Sequence, residues 1–280
     1  MQKIEMLIDL FFRIINFFEF RKNKVLSWIK SPNFNHQIKD LGKNANKINI
    51  TFIDTDFLVG GSQKITLDIV SRLPINRFKT AYIATECFGM EENWREKFME
   101  VFDNLVDLRM IRNKSVKLLK VLSLFRPDIV IIVNSEIAYS LLPQIKKDLP
   151  EVYIIDLIHG KFDEKNRHAN SLGSIKNIDM RITGTHGLRK MILDKYYKGK
   201  FLSAYRKNIS VVRYGTNIFP MDNRANKYYF RDKLNIPHNA FVVSFVAAIA
   251  QHKDPLSVIE MGNRLKEDKS VHFILAGDGP

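Results

Sequence analysis

Short runs rich in valine and isoleucine recur along residues 48 to 158, each bounded by polar or glycine-containing stretches. Ile48, Ile50 and Phe52 open the first. Thr80 to Thr85, Leu105 to Met110, Asp128 to Asn134 and Val152 to Ile158 follow. Apolar runs of this kind suit strands buried on both faces. Between them apolar positions recur at helical spacing, as in Ile65, Ile69 and Leu73 at intervals of four and in the stretch Val116 to Phe125. Strands alternating with crossover helices predict a parallel sheet covered on both sides, a Rossmann-like α/β domain. Arg181-Ile182-Thr183 and Ile209 to Arg213 read as its closing strands, with a helix from about His186 to Tyr197 between them.

The pattern breaks at Tyr214-Gly215-Thr216-Asn217, followed by Pro220, which reads as a hinge. The first domain therefore occupies residues 47–215 and a second unit residues 216–280. That unit has a strand at Phe241 to Val246, a helix from about Pro255 to Lys266 and a strand at Val271 to Ala276, ending in Gly277-Asp278-Gly279-Pro280. Two strands and one helix cannot cover both faces of a sheet, so this second Rossmann-like unit is expected to be incomplete as it stands.

A different pattern opens the chain. On a helix over residues 3 to 20, Glu5, Asp9, Arg13, Asn16 and Glu19 form a narrow polar stripe, and Phe11, Phe12, Phe17, Phe18 and Phe20 crowd the remaining surface. Arg21, Lys22, Lys24 and Lys30, with Trp28 among them, follow directly. Residues 1–30 thus suit an in-plane helix on an anionic membrane surface, or equally a helix packed on the protein itself. Residues 31–46, rich in Asn and Lys, read as a linker. Acidic and basic residues interrupt the first apolar stretch and no small-residue cleavage site follows, which argues against a signal peptide. No apolar run reaches the roughly 20 residues that cross a bilayer.

Composition narrows the classes. With 45% hydrophobic and 26% charged residues among 280, the chain is globular in character. Cys87 is the sole cysteine, so neither an intrachain disulfide nor a cysteine zinc cluster can form; this fits a cytoplasmic protein, peripheral at the inner face of a membrane. A net charge of +14 favours an anionic partner. Zinc-finger spacing, an aromatic RNA-binding signature and a basic heptad region are all missing, so nucleic acid is not the expected partner.

The chemistry-bearing positions are few. Gly60-Gly61-Ser62-Gln63-Lys64 joins the first strand to its helix. Glycine lets backbone approach a ligand, and a helix N-terminus offers free N–H groups to a phosphate or sugar oxygen; the same pair also suits a tight turn with no ligand. His159 follows the strand Val152 to Ile158, at the end where open parallel sheets bind ligands, though a loop histidine without a role fits the position as well. Glu136 stands after the strand Asp128 to Asn134, as an acceptor-side candidate. Lys161 to His168 is a mixed-charge loop.

The Gly60-Gly61 turn, the Tyr214-Gly215-Thr216-Asn217 hinge, the segment Phe245 to Pro255 and the ending Gly277-Asp278-Gly279-Pro280 occur in an order that resembles the family 4 retaining glycosyltransferases of GT-B fold. That resemblance covers residues 48 to 280. It implies transfer of a hexose from a nucleotide-sugar donor to a lipid-linked or surface-polysaccharide acceptor, without a metal or other cofactor. It gives Gly60, Gly61 and Lys253 to the donor diphosphate and His159 to the donor sugar. By itself Lys253 reads as a solvated surface lysine. Two departures stand out: Ala248 takes the place of the family's arginine five positions before the lysine, and the family's paired glutamates, eight positions apart, would fall beyond Pro280. The resemblance therefore implies a chain cut short within its donor half and inactive alone. Two rivals keep the same plan: a non-catalytic GT-B module, and another GT-B enzyme such as a sugar-nucleotide epimerase.

Overall fold

The computed structural model describes residues 34–38, 41–86, 94–160, 171–197, 203–215 and 228–278. The N-terminal segment over residues 1–30, Cys87, the loop Lys161 to His168 and the hinge residues Thr216, Asn217 and Pro220 lie outside them. The chain divides into two compact units between Thr216 and Asn217.

The first unit begins with a single turn, α1 (Phe34–Gln37). Then come β1 (Ile48–Asp54), α2 (Gly61–Val70), β2 (Phe78–Ala84), α3 (Arg95–Val101), β3 (Asn104–Asp107), α4 (Lys114–Phe125), β4 (Ile129–Ile132), α5 (Glu136–Asp148) and β5 (Tyr153–Ile158). A 3-10 stretch, Ser171–Asn177, leads to β6 (Met180–Thr183), α6 (His186–Tyr196) and β7 (Ile209–Val211). The seven strands form one sheet in the order β3-β2-β1-β4-β5-β6-β7, every pairing parallel. Strand order reverses between β1 and β4, the switch point at whose carboxyl ends open parallel sheets place their ligands.

Alternation along each strand explains the two layers. On β1, Ile50 and Phe52 pack with Leu67, Tyr82, Phe98 and Phe102 on the side of α2 and α3. Ile53 faces the other way, towards Leu118, Leu122 and Tyr139 of α4 and α5. Period-two side chains on a sheet with helices on both sides require strands that are apolar throughout, which is why these runs are continuous. The expected stripe on α2 shifts: Gln63, Thr66, Leu67 and Val70 are its buried residues, whereas Ile69 and Leu73 are partly buried at its flank. The helix ends at Val70, so Leu73 lies in the turn beyond.

The second unit contains a short helix, α7 (Tyr229–Lys233), then β8 (Phe241–Val246), α8 (Pro255–Arg264) and β9 (Val271–Ala276). β8 and β9 pair in parallel, with Val243 opposite Phe273. No residue of α8 is buried, and the two strands run from half-buried to exposed. Where the strands end, the chains nearly touch: Ile249 N–H donates to Asp278 O over 2.8 Å, and a Cβ on Gly277 would sit 1.9 Å from Ala247 O. Glycine at 277 is therefore required by the close passage of backbone.

Among the described residues, no helix is long and apolar enough to cross a membrane.

Candidate functional site

Four of the sequence candidates share the carboxyl edge of the first sheet. Gly60 and Gly61 follow β1, Glu136 follows β4 and His159 follows β5, which are successive neighbours in the sheet. Lys253 belongs to the second unit.

The loop after β1 has a fixed base and an open tip. Phe57 is fully buried among Tyr82 and Phe98, with ring centres at 5.4 and 5.6 Å. The Arg109 guanidinium lies 4.6 Å above the same ring. Tyr82 donates its hydroxyl to Asp56 O over 2.6 Å, and Leu58 N–H donates to Asp56 Oδ1 over 3.1 Å. Beyond that base Val59 is 55% exposed. Gly60 has extended backbone and caps α2; a Cβ there would meet the Gln63 carboxamide, which itself accepts from Ser62 Oγ over 2.7 Å. A Cβ on Gly61 would meet nothing within 4 Å. Gly61 thus answers no packing need, and open space lies over the first turn of α2.

Electrostatics at this edge are set by acids buried at strand ends. Asp54, the last residue of β1, is fully buried and pushed up to about 8, first by burial and then by the nearby Asp56 carboxylate, against hydrogen bonds that work the other way. At neutral pH it is therefore uncharged. Burial acts to raise Asp107 as well, but the Arg109 guanidinium hydrogen-bonds both its oxygens, at 3.0 and 2.8 Å. With Arg95 3.0 Å away, the net shift is below the usual carboxylate range.

After β4, Glu136 is exposed at the first turn of α5. The carboxylate that reaches the start of this helix is that of Glu86, whose Oε1 accepts from Ile137 N–H at 3.2 Å and Ser135 Oγ at 3.4 Å. Thr85 adds a short hydrogen bond from its hydroxyl to Glu86. Thr85 and Ser135 hydroxyls are themselves 2.8 Å apart. Glu86 is not among the sequence candidates, although it stands two residues beyond β2, at the same edge of the sheet.

His159 is half-buried. Its ring lies 5.3 Å from that of Tyr214, whose hydroxyl donates to Ile158 O over 3.3 Å. Burial pushes the Tyr214 phenol up to about 12, so it stays a donor. Gly184 makes room for this ring: a Cβ there would come within 2.4 Å of it. The hinge tyrosine is thus wedged between Gly184 and the candidate histidine. Deeper in the same layer, Asp156 and Arg181 stand opposite each other in the β5–β6 register as a buried ion pair at 3.3 Å. Tyr139 donates to Asp156 over 2.7 Å. None of these was a sequence candidate, because single charges inside strands look like solvent-facing positions.

In the second unit Lys253 is exposed and ends a 3-10 turn, Gln251–Lys253, that follows β8. Its N–H donates to Ala250 O over 2.9 Å. Asp254 then takes a left-handed conformation ahead of α8, its carboxylate accepting from Ser257 Oγ at 2.6 Å.

A cavity of about 440 Å³ lies at the opposite, amino-terminal edge of the first sheet, lined by Lys43, Arg126, Asp128 and Glu151 among others. Lys43 is paired with Asp128 at 2.9 Å. Acids and bases alternate there, so the cavity offers no convergent cations for a phosphate.

No protein-family model matches the sequence, and no curated protein matches it. Solved structures do. The Anabaena Alr3699/HepE protein, solved in complex with UDP, superposes with a TM-score of 0.61 at 14% identity, covering 83% of this chain and 61% of its own. The lipopolysaccharide outer core galactosyltransferase WaaB, in its apo form, gives 0.52 at 14% identity over 81% and 68%. A UDP-N-acetylglucosamine 2-epimerase gives 0.47 at 10% identity over 81% and 63%, too low a score to weigh. The chain spans 61% of the length of the HepE chain. At these identities the likeness is one of fold, and the fold is the Rossmann-like α/β architecture of GT-B proteins.

Proposed function

We propose that the chain belongs to a nucleotide-sugar-dependent glycosyltransferase that moves a hexose to a lipid-linked or surface-polysaccharide acceptor. The observation that carries this reading is the switch point between β1 and β4, at whose carboxyl ends an open parallel sheet places its ligand crevice. There the open Gly60-Gly61 turn stands over a buried base at the head of a 10-residue helix. Its backbone N–H groups would hold a donor diphosphate oxygen. HepE, solved with UDP, and WaaB, a galactosyltransferase, share the fold and make this ligand class the natural one to test.

Each further role follows from the chemistry of transfer. As the bond from the anomeric carbon to the diphosphate breaks, negative charge accumulates on the phosphate oxygens. A lysine ammonium stabilises that charge more in the transition state than before it, and Lys253 is assigned that part. Since Ala248 replaces an arginine, Lys253 would be the cation of its loop. His159 would hydrogen-bond a sugar hydroxyl, with Tyr214 fixing its ring. Glu136, exposed beside the same crevice, would face the acceptor. Lysine and helix N-termini can neutralise the diphosphate, so no metal or cofactor enters the scheme. Retention at the anomeric carbon and an in-plane membrane contact through residues 3 to 20, at the inner face, complete the proposal.

The test is transfer from UDP-hexoses by the full chain, in the presence of membrane lipid extract. Turnover with loss of at least about a hundredfold in Lys253→Ala is expected from removing one charge-stabilising group; unchanged turnover in that variant would refute its role. Ala248 favours a second reading, a binding module without transfer chemistry. It predicts nucleotide-sugar binding with no turnover, and no gain when arginine is placed at 248.

A further inference from the structure

No aspartate or glutamate stands between Asp107 and Asp128, while Arg109, Arg112, Lys114, Lys117, Lys120 and Arg126 all do. The acids that bound the stretch are already paired, Asp107 with Arg109 and Asp128 with Lys43. Helix α4 fills most of it. Leu118, Val121, Leu122 and Phe125 point into the core, and the opposite side is not an ordinary solvated face. Such a face mixes charges of both signs at helical spacing; this one has lysines, the exposed serines Ser115 and Ser123 and apolar residues, with no acid among them. Val116 is 66% exposed and Leu124 39% exposed. At 100° per residue both fall on the arc that also carries Lys117 and Lys120.

The lysines are held in place. Lys117 and Lys120 Nζ lie 4.4 and 5.9 Å from the centre of the Phe34 ring, which is buried against α4. A fixed stem with its ammonium at the surface loses little freedom when it meets an anion. In sequence, Phe34 follows the cluster Arg21, Lys22, Lys24 and Lys30.

We propose that the outer face of α4 docks on an anionic lipid bilayer, with Lys117 and Lys120 on headgroup phosphates and Val116 and Leu124 at the acyl boundary. Charge complementarity selects lipid: a planar anionic surface satisfies a one-signed arc, and the two apolar side chains gain by leaving water. The inference stands apart from transfer chemistry. It extends membrane contact from the N-terminal segment to the folded body and would survive the failure of the transferase reading.

The experiment is co-sedimentation of the full chain with vesicles of phosphatidylglycerol and phosphatidylcholine, against phosphatidylcholine alone. Lys117→Glu/Lys120→Glu should lower partition into the anionic vesicles roughly several hundredfold, from four units of charge changed at about fivefold each near the surface. Val116→Ser/Leu124→Ser should lower it with the charge intact. Lys117→Gln/Lys120→Gln, checked for an unchanged melting temperature, separates lost attraction from misfolding and should give an intermediate loss. The control reversal Lys190→Glu/Lys207→Glu, on exposed lysines elsewhere, should cost much less. Equal losses in the two reversals would reduce the effect to net charge and overturn the proposal. So would unchanged partition in the α4 variants. Tighter α4-dependent binding to a DNA duplex than to vesicles would also overturn it, in favour of nucleic acid.

Discussion

The two units solve the same folding problem to different degrees. In the first, seven parallel strands are covered on both sides, and Phe98, Val121, Phe125 and Ile132 lose all contact with water. In the second, one strand pair and two helices leave Phe241 68% and Val246 77% exposed. Yet the second unit keeps backbone geometry as demanding as any in the first, since Gly277 passes Ala247 with no room for a Cβ. Burial and local turn geometry are therefore separable. The first supplies stability and needs many strands; the second is written into a few residues.

Core truncation should separate the units most strongly. Phe98→Ala, in the buried cluster under α3, is expected to destabilise the first unit by about 3–5 kcal/mol. Phe241→Ala should shift urea unfolding by less than about 0.5 kcal/mol, as for any surface site. Similar losses in both would mean that the second unit has a closed core of its own.

The next effect depends on pH. Asp54 is held up to about 8 when folded against 3.8 for the free side chain, so between those values the folded protein binds one more proton than the unfolded chain. Its contribution is complete below about pH 4 and is lost as pH rises towards 8, at about 1.4 kcal/mol per pH unit. Asp54→Asn should remove that slope in denaturation series from pH 4 to 8. A slope that persists in the variant would show that Asp54 is already ionised.

Smaller again is Gly184→Ala. Overpacking of this kind costs about 1–3 kcal/mol, and the Tyr214 ring would have to move, which should shift the His159 ring resonances. Unmoved resonances would mean that Tyr214 does not set the histidine. Gly61→Ala should cost almost nothing in stability, because nothing occupies that space. It should nevertheless weaken nucleotide-sugar binding if backbone approaches a ligand there. A variant that binds normally would leave the turn as simple punctuation.

The strands were legible in sequence because burial on both faces leaves no polar alternation to confuse them, as in Ile129 to Ile132. The Gly60-Gly61 pair stood out as a strand-to-helix turn, although Gly60 has extended backbone that any residue adopts; at Gly277 the passing backbone admits glycine alone. Buried charge was not legible. Asp156 and Arg181 are partners across β5 and β6, and a pairing between strands leaves no mark at any fixed spacing. Asp54 reads as a strand-ending polar residue, yet it is wholly buried. Position relative to strand ends marked His159 and Glu136. The same rule applied to β2 would have marked Glu86, whose carboxylate meets the start of α5. The face of α2 was misplaced because Thr66 and Gln63 turn inward where Ile65 and Ile69 had defined the stripe.

Hydrogen–deuterium exchange of the full chain, with and without UDP, tests the central proposal most directly. Donor binding by the Gly60-Gly61 turn and the Lys253 loop predicts slowed exchange in residues 58–64 and 250–254 together. Protection confined to other segments, or none at saturating UDP, would contradict it.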